Sequence, residues 1–135
     1  MILVLAALAL LEGLVLLGYA LYDVIEAFRT GITGPAEVSN PAALLGLIAI
    51  TAIFGAGLVW LARGWWNGRS WARSPFVFAQ LIIGFIGYEL SQSTDGGPRT
   101  IGQVALVVAV VAIVMSFLPS VRRVLAADDA PSDGE

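Results

Sequence analysis

The sequence contains no cysteine, no histidine and no lysine. Without cysteine, a disulfide framework, a thiolate metal site and a thiol nucleophile are all excluded. Without histidine, the chain lacks the commonest metal ligand and general base, and without lysine it lacks the amine of Schiff-base chemistry. Acid–base catalysis would rest on carboxylates alone. We therefore expect a protein that is not an enzyme and that holds no metal or cofactor.

Charged residues are also scarce, at 13% of the chain against roughly 25% in soluble domains. The hydrophobic share is 59%, above the roughly 45–50% of soluble proteins, and the mean hydropathy is +0.89. A net charge of −3 and the lack of a basic patch argue against a nucleic-acid partner. With 135 residues there is no room for a separate soluble catalytic domain, so the lipid bilayer is the first partner we expect.

Sustained apolar runs predict an all-α membrane protein with four transmembrane helices, because a bilayer core of about 30 Å needs about 20 apolar residues. We expect the helices at about 2–28, 41–62, 74–92 and 100–118. Short loops predict a four-helix bundle in residues 1–125 with antiparallel neighbours. Residues 126–135 are acidic and polar, which indicates a disordered tail.

The first apolar run is a retained helix in this interpretation and not a cleaved signal peptide. No arginine or lysine precedes it, and Glu12 interrupts the part of a signal that is normally most apolar. The arginines of the short loops then set the orientation. One side carries Arg63, Arg69, Arg73, Arg122 and Arg123, and the other carries Arg29 and Arg99. This bias predicts a multi-pass protein with both termini in the cytoplasm. Arginine as the only basic residue, with many alanines, glycines and valines, is typical of a GC-rich bacterial genome, so we expect the cell membrane, specifically a bacterial inner membrane.

Small residues at helical spacing predict the packing faces, because membrane helices associate where their backbones approach closely. Such stripes occur on three of the predicted helices. They are Gly46, Ala49, Ala56 and Gly57 on the second, Gln80, Gly84, Gly87 and Ser91 on the third, and Gly102, Ala105, Ala109, Ala112 and Ser116 on the fourth. The valines of the fourth helix are expected to face lipid. Trp60, Trp65, Trp66 and Trp71 are interpreted as an interfacial belt; the alternative is that Trp65 and Trp66 form a ligand-stacking box.

Glu12 is the most conspicuous polar residue, because it lies about 15 Å into the first helix, near the bilayer midplane. A charge there is costly, so we expect an inward, neutral or hydrogen-bonded carboxyl. Gln80 lies about 8 Å inside the same face on the third helix, and its long amide can reach a carboxyl one turn further in, which predicts a Glu12–Gln80 hydrogen bond. Tyr19 shares the stripe of Glu12, and the three form a candidate intramembrane polar site.

Asp23 and Glu26 continue this stripe to the outer surface, and with Glu89 they form a candidate outer acidic cluster. Two interpretations stay open for the line of acids on the first helix. It is either a proton or cation path, or a solvated helical turn with Glu12 as an interhelical hydrogen-bonding group; the second is favoured, because such groups are easily accommodated. For Glu89, an ion pair with Arg99 is favoured over a place beside Asp23 and Glu26 around a vestibule at the outer surface.

Three segments carry a resemblance to known proteins: "LLEGLVLLGYALYDVIEAF", "LARGWWNGRSWARSPFVFAQL" and "LPSVRRVL". They resemble small four-helix integral membrane proteins of actinobacteria that have no assigned function, and this resemblance implies topology. Glu12 in the first helix also resembles the membrane-embedded glutamate of small multidrug resistance transporters. The long first loop and the later helices depart from that family, so the resemblance implies only a proton-binding role for Glu12.

Two functions follow as hypotheses. The first is a non-enzymatic accessory subunit that binds other membrane proteins or a second copy of itself. Small-residue faces and an absence of catalytic residues favour it. The second is a small proton-coupled transporter or channel in which Glu12 titrates.

Overall fold

The computed structural model describes residues 1–30 and 40–128, and this part of the chain is helical with short connections. The helices are α1 (Ile2–Thr30), α2 (Pro41–Trp66), α3 (Arg73–Ser91), α4 (Gly96–Ser116) and α5 (Pro119–Asp128), with a 3-10 turn at Ser70–Ala72. Four stretches are long and apolar enough to cross a membrane: Ile2–Arg29, Pro41–Trp66, Ser70–Ser91 and Gly96–Ser116. The prediction of an all-α protein with four such helices is confirmed.

Local sequence signals account for the two ends of α2. At its start, the Oδ1 atom of Asn40 accepts a hydrogen bond of 3.0 Å from the backbone N–H of Ala42, and Pro41 occupies the first position. At its end, Gly68 adopts a positive φ of 65°. The N–H of Arg69 reaches the carbonyl of Gly64 at 3.0 Å, as in a Schellman motif. Glycine is suited to this turn because it adopts a positive φ without steric cost.

The chain divides into two compact units, each described by itself. The α1–α2 unit is Ala9–Trp60, and the α3–α5 unit comprises Met1–Leu8 and Leu61–Glu135. Its α3 and α4 pack antiparallel, because Gly84 lies opposite Ala109 while Ser91, later on α3, lies opposite the earlier Gly102 of α4. Within the α1–α2 unit, Gly55 lies against Leu17, while Val59, later on α2, lies against the earlier Gly13. These two helices are therefore antiparallel. The assembly of all four helices into one bundle stays a prediction.

The α3–α4 contact uses the predicted small residues. A Cβ built on Gly102 would lie 2.5 Å from the backbone nitrogen of Ser91 and 2.6 Å from the carbonyl oxygen of Gly87, so the backbones touch. Ala109 and Ala112 are buried on the same stripe. The exposed apolar side chains of α4 include four of its valines, Val107, Val110, Val111 and Val114. The packing faces predicted for these two helices are confirmed.

The stripe predicted for α2 does not make the contact within the α1–α2 unit. Within the α1–α2 unit, α2 approaches α1 at Gly55, where a Cβ would lie 3.0 Å from the carbonyl oxygen of Gly13. Gly46 and Gly57, which the prediction placed in the contact, have no atom of the described residues of this unit within 4 Å of a Cβ. The contact forms at Gly55 because the facing residue on α1 is also a glycine, so two backbones can meet there.

Two boundaries also differ from expectation. α4 begins at Gly96, because Pro98 fits the first turn of a helix, where its missing N–H is not needed. Beyond α4 the chain forms the separate helix α5, which includes Ala126, Ala127 and Asp128 of the segment expected to be a disordered tail. The rest of that tail, residues 129–135, and residues 31–39 of the first loop lie outside the described residues.

Candidate functional site

Glu12 lies on the part of α1 that packs against α2. The next residue, Gly13, makes the close contact, with a Cβ position 2.8 Å from both the Gly55 carbonyl oxygen and Val59 Cγ2. The Glu12 side chain is half-buried, and its Oε1 atom is buried. Gly13, which sequence reasoning did not single out, therefore brings Glu12 to the edge of a helix–helix contact.

Gln80 is fully buried, with 0% of its surface exposed, on α3. It lies one turn before Gly84 on the face that packs against α4. Because Glu12 belongs to the α1–α2 unit and Gln80 to the α3–α5 unit, the hydrogen bond between them stays a prediction. Tyr19 is 57% exposed, and its part in the intramembrane polar site stays a prediction.

The outer acids do not share one environment. Asp23 is half-buried, and its Oδ2 atom is buried without a hydrogen bond from the described residues. Glu26, one turn further along α1, is half-buried, whereas Glu89 on α3 is exposed. Among the described residues no ion pair joins Glu89 to Arg99, so the favoured pairing is absent. Both side chains are exposed, and water solvates them at less entropic cost than a surface ion pair. The vestibule stays a prediction.

The tryptophans divide into an exposed group and one core residue. Trp60, Trp66 and Trp71 are exposed at 64%, 67% and 42%, as an interfacial belt requires. Trp65 is 0% exposed and packs edge-on against Phe76, with ring centroids 5.5 Å apart and an interplanar angle of 82°. Trp65 is therefore a core residue and belongs neither to the belt nor to a stacking box with Trp66. The edge-on ring contact accounts for its burial.

A polar clasp fixes the end of α5. Asp128 Oδ2 accepts hydrogen bonds from the Ser70 backbone N–H at 3.0 Å and from Ser70 Oγ at 3.3 Å. Asp128 Oδ1 pairs with Arg69 Nη1 at 3.2 Å. The Ser70 backbone hydrogen bond lowers the pKa of Asp128, and Arg69 lowers it further against the opposing effect of desolvation. The clasp joins α5 to the 3-10 turn while Asp128 is ionised.

Val121 and Leu125 complete this attachment, since they are 0% and 4% exposed. They stand four residues apart and share one side of α5, whereas Arg122 and Arg123 are exposed. Sequence reasoning missed α5 as a separate helix. The available signals were Pro119 at the first helical position and the apolar pair at a spacing of four.

Two surface clefts border α5. The first, of about 530 Å³, is lined mainly by apolar side chains of α1, α2 and α5, with Asn67 and Ser120 as its polar side chains. The second, of about 340 Å³, is lined by Pro119, Arg122, Arg123 and Ala126. Nearby, the Arg73 guanidinium carbon lies 4.3 Å from the centre of the Phe117 ring, a cation–π contact.

The outward surface of α2 combines small and large apolar residues. Gly46 and Gly57 bracket Ile53, which is 73% exposed, and the three are spaced so that they share one side of the helix with Ala49 and Ala56. We name this set, Gly46, Ala49, Ile53, Ala56 and Gly57, the α2 outer face. Within the α1–α2 unit, this face does not contact α1, because that contact is at Gly55.

The described residues contain no group of three acidic side chains that could hold a metal ion. The geometry thus offers three features: the half-buried Glu12 beside the Gly13–Gly55 contact, the α2 outer face, and the arginine-bearing surface of α5. Comparisons with protein-family models, with curated proteins and with solved structures gave no match to this chain.

Proposed function

We propose that this protein is a non-enzymatic accessory subunit that binds another membrane protein through α2. The observation that supports this proposal is the α2 outer face, where the backbone of Gly46 and Gly57 is accessible. The glycines in the α1–α2 and α3–α4 contacts, in contrast, lie directly against backbone atoms of the neighbouring helix. In lipid, small residues promote helix association because they allow close van der Waals contact. An accessible pair of them on a face that α1 does not cover supports an intermolecular contact.

The cellular setting is part of the proposal. A multi-pass position with both termini in the cytoplasm is supported by the five arginines of the second loop and the C-terminal segment against two elsewhere. A bacterial inner membrane is supported only by the arginine-only basic composition. α2 carries no charged side chain between Pro41 and Ala62. Its partner is therefore an apolar transmembrane helix.

The partner is another protein and not a second copy of this chain. Two copies inserted with the same orientation would bring equal depths together, so Ile53 would oppose Ile53 between the two glycine notches. A different helix can place larger side chains in the space beside Gly46 and Gly57, where there is no side chain, and a small residue opposite Ile53. Such complementary packing gives membrane helices their contact energy.

The test uses photo-crosslinking in native membranes. A photoreactive amino acid at Ala49 should capture one membrane protein, identified by mass spectrometry. The same residue at Leu47, which is 48% exposed at nearly the same depth but on another side of α2, should not. Gly46→Leu with Gly57→Leu should remove at least about 90% of the Ala49 adduct, because the added side chains fill both notches.

Three results would contradict the proposal. Equal capture at Ala49 and Leu47 would indicate random lipid-phase collisions, and an adduct unaffected by the leucine substitutions would place the contact elsewhere. A covalent dimer of this chain as the sole adduct would assign the α2 outer face to self-association.

The second candidate function is a proton-coupled transporter or channel, and the half-buried Glu12 carboxyl is the observation that favours it. In proteoliposomes, Glu12→Gln should then abolish proton-dependent flux, with Glu89→Gln as the control because Glu89 is exposed. Equal behaviour of the wild type and Glu12→Gln removes this candidate.

A further inference from the structure

α5 lies at one end of the membrane span of the α3–α5 unit. α4 contains 21 residues, and at about 1.5 Å per residue it crosses a hydrocarbon core of about 30 Å. α5 begins three residues later at Pro119. The exposed Trp66 lines the same cleft as Val124 of α5. Exposed tryptophan is typical of the interface between lipid and water, which places α5 at that level.

Arginines cluster at this end of the α3–α5 unit, and two of them have no ion-pair partner among the described residues. Arg69 pairs with Asp128, and the guanidinium of Arg73 covers the Phe117 ring. Arg122 and Arg123 are exposed, and neither pairs with a carboxylate within residues 1–30 and 40–128. Within the part of the chain that the structure describes, their positive charge is exposed and not neutralised by a carboxylate.

The two arginines share a shallow, open surface. With Pro119 and Ala126 they line the cleft of about 340 Å³. Pro119 and Ala126 stand within one turn on either side of the arginines, and their short side chains leave the concavity between them. Val121 and Leu125 are buried on the other side of α5, so the helix holds the arginines outward.

We propose that Arg122 and Arg123 bind the phosphodiester headgroup of an anionic membrane phospholipid in this cleft. Guanidinium groups donate paired hydrogen bonds to phosphate oxygens and retain their charge at any physiological pH. The position of α5 at the membrane surface selects a lipid headgroup over a dissolved phosphate, because lipid is held at that level. The clasp of Asp128 on Ser70 and Arg69 keeps α5 in place.

The experiment measures lipid binding to the full chain in detergent by native mass spectrometry. Phosphatidylglycerol should bind at least tenfold more tightly than phosphatidylcholine. Arg122→Gln with Arg123→Gln should weaken phosphatidylglycerol binding about 20-fold, and each single substitution about fivefold, with phosphatidylcholine unchanged. The matched control is Arg29→Gln with Arg99→Gln, which removes two exposed arginines from other helices and should change binding less than twofold.

Several outcomes would overturn the site. These are an equal loss in the control pair, no loss in the Arg122 and Arg123 variants, and displacement of phosphatidylglycerol by millimolar inorganic phosphate, which would indicate a soluble anion. Melting temperatures of all variants, read by circular dichroism, separate lost binding from lost folding. The inference is independent of the proposed function, because the Ala49 crosslink on α2 does not depend on these arginines.

Discussion

The glycines of α4 and α2 are used in opposite ways. On α4, Gly102 is closed by the backbone of α3, so a Cβ there would lie 2.5 Å from the Ser91 nitrogen. On α2, Gly46 and Gly57 have no neighbouring atom of the described residues of their own unit within 4 Å of the same position. Both helices carry small residues at helical spacing, and only one stripe is filled within its unit.

A stripe of small residues therefore predicts where another helix can come close, but not which helix makes the contact. Close contact requires a complementary surface on the neighbour. Gly102 meets Gly87, and Gly55 meets Gly13, so the α3–α4 contact and the α1–α2 contact each pair two glycines. Gly46 and Gly57 have no such counterpart in the described residues of the α1–α2 unit, and this supports a partner from another protein.

The largest expected effect is that of Gly102→Leu. The added side chain would meet backbone atoms of Ser91 and Gly87, which cannot rotate away. Overpacking of this kind costs about 3 kcal/mol or more when backbone must move. Reversible unfolding in mixed micelles should show this loss of stability. A variant as stable as the wild type would show that α3 and α4 do not touch here.

Gly13→Leu should have the next largest effect, about 2 kcal/mol, since part of its surroundings is the movable Val59 side chain. The same unfolding assay measures it. This substitution sharpens the comparison, because Gly13 was not expected to be a packing residue. If Gly13→Leu left the free energy of unfolding unchanged while Gly102→Leu lowered it, the close α1–α2 contact at Gly13 would be contradicted.

The α5 clasp should respond to pH, unlike the glycine contacts. The pKa of Asp128 is lowered below its usual value of 3.8, so its stabilising contribution is present above that value and is lost as pH falls through the lowered pKa. At pH 7, Asp128→Asn should speed hydrogen exchange of the Ser70 amide several-fold relative to the wild type. The two proteins should converge as the pH falls through the lowered pKa of Asp128. Equal exchange rates at pH 7 would show that the clasp does not form.

The smallest effect on stability is expected for Gly46→Leu with Gly57→Leu. Both positions are open, so unfolding free energy in micelles should change by less than about 1 kcal/mol. The same double variant should lose the partner crosslink. A large loss of stability would mean that Gly46 and Gly57 pack against other residues of this chain, as Gly102 does, and would contradict their assignment to an open face.

Much of the fold could be predicted from the sequence, since hydropathy runs near 20 residues report directly on the bilayer. The stripe from Gly102 to Ser116 also identified its own packing face, because bulky valines occupy the remaining surface of α4. Trp65 could not be separated from Trp66 in this way. Adjacent residues on a helix point about 100° apart, and only the neighbouring Phe76 decides which ring is buried.

The candidate sites were less accessible to sequence reasoning. Burial of Gln80 followed from its stripe, but the exposure of Tyr19 depends on where a large ring leaves the helix. The clasp of Asp128 joins residues 58 positions apart, and no local pattern reports a contact at that separation. Gly55 was overlooked because the predicted stripe on α2 followed the most numerous small residues, whereas the contact required one glycine opposite another.

The most direct test of the central claim is a photo-crosslinking scan of α2 from Ala42 to Trp60 in native membranes. The absence of cysteine from the chain also allows the scan to be repeated with single-cysteine variants. We expect one membrane protein to be crosslinked, with a yield that varies along α2 at the helical period. The yield should be highest at Ala49, Ile53 and Ala56 and lowest at Leu47. A uniform pattern, or one centred on Leu47, would contradict this expectation.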